Sequence, residues 1–204
     1  MDDAVLKITG GTFCGRNLHS PKGLETRPTA ARIRQSVFDI LINSTKGFPE
    51  LSSARVLDLY AGTGAMGFEA LSRGAGEVVF VDSSRRATRS IKQNIQELKV
   101  GEFCKVLSCG VFDALQNMEA GRKVFDFVFM DPPYAANKKR RMTIERLMNL
   151  SILSSGACVI VEGPSRWCGG RDIDECLSNN EFPQLDEVCF RKWGDTNVRF
   201  FLYV

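Results

Sequence analysis

A buried strand that runs directly into a rigid polar turn is the feature that most constrains this chain. Residues 125–134 read FDFVFMDPPY, so an apolar run ends in a carboxylate, two prolines and an aromatic ring. Because proline fixes φ and has no N–H group, Asp131 and the carbonyl of Pro132 can keep their oxygen atoms outside a sheet ladder. With the ring of Tyr134 to stack on a heterocycle, these acceptors suit a planar compound that carries an exocyclic amine. A strand that merely ends in a proline turn is the simpler alternative.

A glycine-rich turn follows another buried strand. Residues 55–60 read RVLDLY, and residues 62–67 match G-x-G-x-x-G, a turn that lets the backbone approach a nucleotide-like ligand. The strand 77–82 ends in Asp82, which follows Asp58 by 24 residues and is near the position of an acid that binds ribose hydroxyls. Both acids lie at the carboxyl ends of predicted strands, where open α/β sheets bind ligands.

Strands and helices alternate across residues 55–163, which predicts a doubly wound, mostly parallel α/β sheet. The two last strands, around Gly194 and Asp195, are joined so closely that they must be antiparallel. Seven strands result. We predict strands at 55–60, 77–82, 103–109, 124–131, 157–162, 185–193 and 198–204, and helices at 68–73, 84–98, 111–118, 142–153 and near 173–178.

The N-terminal segment is predicted to be a separate basic unit. Residues 5–20 indicate a small hairpin, and a helix 29–42 is predicted with Thr29 as its cap. Its apolar stripe is Ile33, Val37, Ile40 and Leu41. Residues 7–46 hold seven basic and two acidic side chains, an excess larger than the +3 of the whole chain. We therefore predict an RNA-docking unit over 1–46 and a catalytic domain over 53–204.

Several basic residues are candidates for contacts with nucleic-acid phosphates. Arg32 and Arg34 point about 200° apart on a helix, so one of them is expected to be structural. The charge run at 138–141 would ordinarily be mobile and solvated, but it lies close to the proposed pocket. Alternatively, all of these basic side chains belong to a solvated surface that does not contact nucleic acid. The candidates are Arg16, Arg27, Arg32, Arg34, Lys138 and Lys139.

Composition limits the protein class. With 44% hydrophobic and 25% charged residues and no apolar run near the roughly 18 of a membrane span, we expect a soluble protein without membrane contact. Residues 1–3 do not resemble a secretory signal, so we expect the cytoplasm. Seven cysteines, an odd number without a C-x-x-C pair, and the single histidine, His19, predict neither a disulfide framework nor a metal site.

Together these motifs resemble the Rossmann-like methyltransferases that use S-adenosylmethionine. The sequences ITGG at 8–11, TRPT at 26–29 and GDT at 194–196, with Gly15, Arg16, R-x-R at 32–34 and Phe38, are similar to the RsmD family of bacterial 16S rRNA guanine-N2 methyltransferases. The resemblance covers nearly the whole chain. It implies an enzyme that methylates N2 of a guanine in 16S rRNA of the small ribosomal subunit and releases S-adenosylhomocysteine. We expect a monomer.

The resemblance also implies which residues form the site. Asp58, Gly62 and Gly64 would line the methionine side of the cofactor, and Asp82 would bind its ribose. An acid that often meets the adenine is replaced here by Gly110, so either Asp113 or the backbone alone takes that role. The implied catalytic residues are Asp131, Pro132, Pro133 and Tyr134; the further cofactor contacts are Tyr60, Ser83, Gly110 and Val111, with no metal.

Other functions are compatible with parts of the sequence. An NAD-dependent dehydrogenase could use the same glycine turn and Asp82, although the turn at 131–134 argues against it. A DNA adenine-N6 methyltransferase shares the requirement for a planar exocyclic amine. A third alternative is an RNA-binding ribosome assembly factor that has lost catalysis.

Overall fold

The computed structural model describes residues 6–20, 28–132, 137–164 and 182–204, without the side chains of residues 28–30, 137, 138 and 164. The strands are β1 (Leu6–Lys7), β2 (Asn17–Leu18), β3 (Arg55–Leu59), β4 (Glu77–Val81), β5 (Cys104–Leu107), β6 (Phe125–Met130), β7 (Leu153–Pro164), β8 (Leu185–Trp193) and β9 (Thr196–Tyr203). The helices are α1 (Pro28–Asn43), α2 (Ala65–Ser72), α3 (Arg85–Leu98), α4 (Val111–Ala120) and α5 (Asn137–Asn149).

One seven-stranded sheet organises the fold, in the order β5-β4-β3-β6-β7-β9-β8. Strands β3 to β7 are parallel to their neighbours, whereas β9 lies antiparallel between β7 and β8. The predicted doubly wound, mostly parallel sheet with an antiparallel C-terminal strand is confirmed. Strands β4 and β5 lie on one side of β3, and β6 and β7 lie on the other. This reversal of direction in the sheet opens a crevice at the carboxyl ends of β3 and β6.

Both faces of the sheet are buried, because alternate residues of each strand enter two different cores. On β3, Val56 faces the core formed with α1, α2 and α3, and Leu57 faces the core formed with α4 and α5. This arrangement explains why the central strands are almost continuously apolar in sequence. Because side chains alternate between the two cores, a residue at a strand end faces the same core as the residue two positions before it.

Helix α1 packs on the same core as the sheet. Val37 and Phe38 are fully buried there, whereas Ile40 of the predicted stripe is only half-buried. Leu6 and Ile8 from the hairpin join the same cluster. The boundary between residues 1–46 and 53–204 stays a prediction, but the described parts of the two segments share one core.

A buried carboxylate on α2 fastens the N-terminal segment to the sheet. Glu69 is fully buried and forms ion pairs with Arg34 Nε at 2.9 Å and with Arg73 Nη1. It also accepts a hydrogen bond from the backbone N–H of Thr9 at 2.7 Å, and Arg34 Nη2 donates to the carbonyl of Lys7 at 2.7 Å. The prediction that Arg34 contacts RNA phosphates is therefore wrong, since its guanidinium is buried in this network. Arg32 is exposed, because it points to the side of α1 opposite Arg34.

The hairpin is held by two further polar side chains. Ser72 Oγ donates to the carbonyl of Gly10 at 2.6 Å and accepts from Phe13 N–H at 2.8 Å. On α3, Asn94 accepts from His19 N–H at 2.7 Å and donates to the His19 carbonyl at 3.1 Å. The hairpin is thus attached to α2 and α3 by hydrogen bonds as well as by its apolar side chains.

The charge run at 138–141 is not a mobile segment. Helix α5 begins at Asn137, five residues earlier than predicted, and Arg140 is fully buried. Arg140 precedes the buried Ile144 and Leu147 by four and seven residues, so it lies on the helix face that packs on the sheet. Lys139, one position earlier, is exposed.

Smaller differences concern element ends. Helix α1 begins at Pro28, so Thr29 lies in its first turn and does not cap it. The helix predicted near 173–178, with Cys168 and Cys176, lies outside the described residues. The five described cysteines are free thiols, and no cluster within the described ranges could hold a metal ion. A search of the same ranges finds no helix of the length and apolarity that a bilayer crossing requires.

We expect Glu69→Gln to destabilise the fold by roughly 3–5 kcal/mol, because it leaves the buried Arg34 without its charge partner. The exposed pair Arg141–Glu145 provides a matched control, since Glu145→Gln should cost roughly 0–1 kcal/mol. Urea unfolding followed by circular dichroism measures both values. Equal losses in the two variants would contradict the structural role of Glu69.

Candidate active site

A cavity of about 280 Å³ opens at the crevice between β3 and β6. This volume is close to the lower end of small-molecule sites. Helix α1 supplies one wall through Ile33 and Val37, and the turn after β3 supplies another through residues 60–66. The N-terminal segment therefore forms part of the pocket wall.

Three carboxylates on neighbouring strands point into this cavity: Asp58 on β3, Asp131 after β6 and Glu162 on β7. Asp58 is paired in register with Phe129, and Phe129 with Ile160. Asp131 and Glu162 each lie two residues beyond those partners, so by strand alternation all three share the face covered by α1. The sequence predicted roles for Asp58 and Asp131, whereas Glu162 was only placed at a strand end.

Asp58 is the most buried of the three carboxylates. It is 4% exposed, and its Oδ2 accepts a hydrogen bond from Gly67 N–H at 3.0 Å. Burial raises the pKa of Asp58 to about 8; the neighbouring Asp131 and Asp82 also raise it, and the Gly67 hydrogen bond lowers it. At neutral pH its carboxyl group is therefore largely protonated, and a cation bound beside it would favour the ionised form.

Asp82 organises the glycine turn. Its Oδ2 accepts from Gly62 N–H at 2.8 Å, and its Oδ1 accepts from Ser84 N–H at 2.7 Å at the start of α3. Gly62 and Gly64 adopt positive φ angles of 54° and 74°, which allow the sharp turn. Ser83, beside Asp82, is exposed.

The third glycine of the motif permits close packing between α2 and β4. A Cβ atom on Gly67 would lie 2.3 Å from the ring of Phe80, so no larger residue fits. This contact keeps the start of α2 near β3, where Gly67 N–H reaches Asp58. The glycine motif thus fixes the position of the buried carboxylate as well as the shape of the turn.

Tyr60 connects the turn to α5. It has a positive φ of 58°, and its hydroxyl lies 2.8 Å from Thr143 Oγ1. Because Thr143 Oγ1 donates to the Lys139 carbonyl at 2.8 Å, the Tyr60 hydroxyl is the donor to Thr143. Tyr60 is one of the residues that line the cavity, and its contact with the cofactor stays a prediction.

The electrostatics of Asp131 and Glu162 are coupled to buried Arg140. Burial by the surrounding protein raises the pKa of both carboxyl groups, and the Arg140 guanidinium opposes that rise. Asp131 lines the cavity and is exposed to solvent, although many protein atoms surround its carboxyl group. Pro132 is buried, and the predicted catalytic residues Pro133 and Tyr134 lie outside the described residues.

The predicted adenine end is formed by the start of α4. Gly110 precedes this helix with a φ of −63°, and Val111 is buried. Asp113 Oδ2 lies 3.2 Å from where a Cβ on Gly110 would stand, so the carboxylate and the Gly110 backbone are neighbours. Whether Asp113 or the Gly110 backbone contacts the adenine stays a prediction, and both lie at the start of α4.

The sheet order, the glycine turn after β3 and the acid and proline that follow β6 define the Rossmann-like methyltransferase class of fold. Solved structures of this shape include the Escherichia coli protein yhhF, with a TM-score of 0.76, 25% identity and 97% of each chain covered. A hypothetical protein from Thermus thermophilus has a TM-score of 0.72 and 26% identity, and the alignment covers 96% of this chain and 98% of the other.

Residues 6–199 match the family model described as "Conserved hypothetical protein 95", and the chain belongs to this family. Relatives named "Ribosomal RNA small subunit methyltransferase D" are 32% identical to it. The Haemophilus influenzae relative aligns over 158 residues, 77% of this chain and 78% of its own, and the Escherichia coli K12 relative over 145 residues, 71% and 66%. The family resemblance predicted from the N-terminal and C-terminal motifs is confirmed.

The pKa of Asp58 leads to a prediction about the expected cofactor. If the methionine ammonium of S-adenosylmethionine binds beside Asp58, it lowers the raised pKa, so binding at pH 7 releases a proton. Affinity should then rise about tenfold between pH 6 and pH 7, a range in which an α-amino group stays mostly protonated. Titration calorimetry in buffers of different ionisation enthalpy measures the proton release.

Asp58→Asn is the matched control, because its amide oxygen can still accept from Gly67 N–H. This variant should bind the cofactor without proton release and with little change between pH 6 and pH 7. Equal proton release by the variant and the unchanged protein would assign the linkage to another group.

Proposed function

We propose that this protein transfers a methyl group from S-adenosylmethionine to the exocyclic N2 of a guanine in 16S rRNA of the small ribosomal subunit. The observation that carries the proposal is that Asp58, the glycine turn and Asp131 line one cavity. The names of the relatives support small-subunit rRNA as the substrate. The protein is proposed to act in the cytoplasm as a monomer.

The residues present fit S-adenosylmethionine. Gly62 leaves room for a ligand against the backbone, Asp82 faces the turn as an acceptor for ribose hydroxyls, and Asp58 can pair with an ammonium group. The sulfonium of this cofactor supplies an electrophilic methyl carbon. The protein must therefore position the nucleophile and exclude water.

Asp131 is proposed to prepare the guanine amine for attack. The lone pair of this nitrogen is delocalised into the ring, which makes it a poor nucleophile. Hydrogen bonds from its two hydrogens to Asp131 and to the Pro132 carbonyl would favour a tetrahedral nitrogen whose lone pair faces the methyl carbon. As the new N–C bond forms and the bond between sulfur and the methyl carbon breaks, with S-adenosylhomocysteine as the leaving group, Asp131 would stabilise the positive charge on nitrogen and hold the proton that the amine then loses.

Docking of the RNA is assigned to exposed basic residues around the cavity. Arg32 is exposed on α1, the helix that forms one wall of the cavity, and Lys139 is exposed on α5. Arg16 is exposed on the hairpin, where its guanidinium donates to the Glu97 carbonyl at 3.3 Å. Arg27 and the side chain of Lys138 lie outside the described residues and remain proposals from sequence. A base within folded RNA must be unstacked to reach Asp131.

The dehydrogenase alternative finds no support in the geometry. The usual acid and base of such a hydride transfer is a histidine, and the single histidine of the chain is on the hairpin. His19 Nε2 lies 2.7 Å from Glu97 Oε1 at the surface, outside the residues that line the pocket.

Asp131→Ala should lower methyl transfer roughly 100- to 1000-fold, the usual effect of removing one electrostatic partner of the transition state. Asp131→Asn should retain more activity, because its amide oxygen still accepts one N–H bond. The assay follows labelled methyl groups from S-adenosylmethionine into small subunits isolated from cells that lack the gene. Cofactor affinity, measured by calorimetry, should stay within a few-fold in both variants. Undiminished turnover by Asp131→Ala would remove this residue from the mechanism.

Arg32→Ala should reduce the dependence of RNA binding on salt. Removing one interaction with a phosphate lowers the slope of log affinity against log salt by ~0.7–0.9. Arg89→Ala, an exposed arginine on α3, is the matched control and should leave the slope unchanged. Filter binding to 16S rRNA at several salt concentrations measures the slopes. If Arg32→Ala and Arg89→Ala behave alike, α1 does not dock the RNA.

A further inference from the structure

We infer that Glu162 accepts a hydrogen bond from N1–H of the target guanine and so restricts methyl transfer to guanine. This inference rests on the proposed function, since it concerns the base that enters the same cavity. It assigns a specificity role to a residue that neither binds the predicted cofactor nor belongs to the turn at 131–134.

The strand order places Glu162 on the base side of the cavity. Strand β6 lies between β3 and β7, so Asp131 separates Glu162 from the glycine turn and Asp58. Adjacent strands are about 4.8 Å apart, and Met130 is in register with Val161, so Asp131 and Glu162 stand side by side one residue further on. The guanine amine that meets Asp131 has a ring nitrogen on each side, and we place N1 on the side of Glu162.

The surroundings of Glu162 make its carboxylate available to a ligand. It is half-buried, and no described residue donates a hydrogen bond to it, in contrast to Asp58. The adjoining part of the cavity is apolar, with Val37, Ile160 and Val198 on its walls. Burial and the neighbouring Asp131 raise the pKa of Glu162 to about 8, and Arg140 and Arg34 oppose that rise. A hydrogen bond from N1–H of an incoming base favours the ionised carboxylate and so lowers this pKa.

Guanine supplies two adjacent donors, N1–H and the N2 amine. Two acceptors roughly 5 Å apart on neighbouring strands can take one donor each. Adenine also carries an exocyclic amine, but the ring nitrogen beside it has a lone pair and no hydrogen. Facing Glu162, that lone pair is repelled by the carboxylate in its ionised form, which prevails above pH 8. Discrimination thus comes from a mismatch at the ring nitrogen, because both bases satisfy Asp131.

The test is made at pH 8.5, above the raised pKa of Glu162, and compares guanine with 2-aminopurine at the methylated position of a 16S rRNA fragment, once mapping has located it. 2-Aminopurine keeps the N2 amine but has a lone pair at N1. The unchanged protein should methylate guanine with a kcat/KM at least ~100-fold higher. Glu162→Ala should lower the value for guanine at least ~10-fold and leave that for 2-aminopurine no lower. A purely structural role would lower both.

Glu162→Gln keeps the size of the side chain and gives the sharper result. Its amide can accept from N1–H of guanine or, after rotation, donate to N1 of 2-aminopurine. This variant should retain guanine activity within about tenfold and raise 2-aminopurine activity, so that the preference falls to within about tenfold. Glu145→Gln on the exposed face of α5 is the control and should keep the full preference.

Three outcomes overturn the inference. They are equal use of guanine and 2-aminopurine by the unchanged protein, an equal loss on both substrates in Glu162→Ala, and an undiminished preference in Glu162→Gln. Each of them leaves methylation of guanine by the unchanged protein intact, and with it the proposed function. If the unchanged protein methylates neither RNA, the proposed function fails and the inference falls with it.

Discussion

The register between three parallel strands is the constraint on which the site depends. Because β3, β6 and β7 are paired without a shift at their carboxyl ends, Asp58, Asp131 and Glu162 emerge on one face of the sheet and into one cavity. A slip of one residue would turn a carboxylate to the opposite face. The continuous apolar cores on both sides of these strands fix the register, so the stability of the fold and the geometry of the site have the same origin.

Helix α1 closes the cavity above these carboxylates, and a single buried charge network holds it there. Glu69 joins Arg34 of α1, Arg73 just after α2 and the backbone of Thr9. A buried ion network is a costly way to gain stability, but it defines one position for the helix more sharply than apolar contacts do. The wall of the active site is thereby tied to α2, whose first turn also fixes Asp58 through Gly67. The N-terminal segment and the cofactor turn are thus coupled through one short helix.

The sheet and the positions of Asp58, Asp82 and Asp131 could be predicted from sequence, because apolar runs, glycine turns and strand-end acids are local patterns. Arg34 and Arg140 could not. Both belong to basic runs that ordinarily lie in solvent, and only the packing of α1 and α5 shows that these arginines are buried beside acids distant in sequence. Glu69 and Glu162 were missed for the same reason, since an isolated glutamate gives no signal until the fold supplies its neighbours. Helix α5 was placed too late because its first turn is highly charged.

The central claim is that this protein places one methyl group on N2 of a guanine in small-subunit rRNA. Primer extension and mass spectrometry of 16S rRNA, in cells that lack the gene, test it most directly. We predict that a single N2-methylguanine disappears, returns when the intact gene is supplied, and does not return with the Asp131→Ala form. An unchanged methylation pattern, or restoration by Asp131→Ala, would contradict the account.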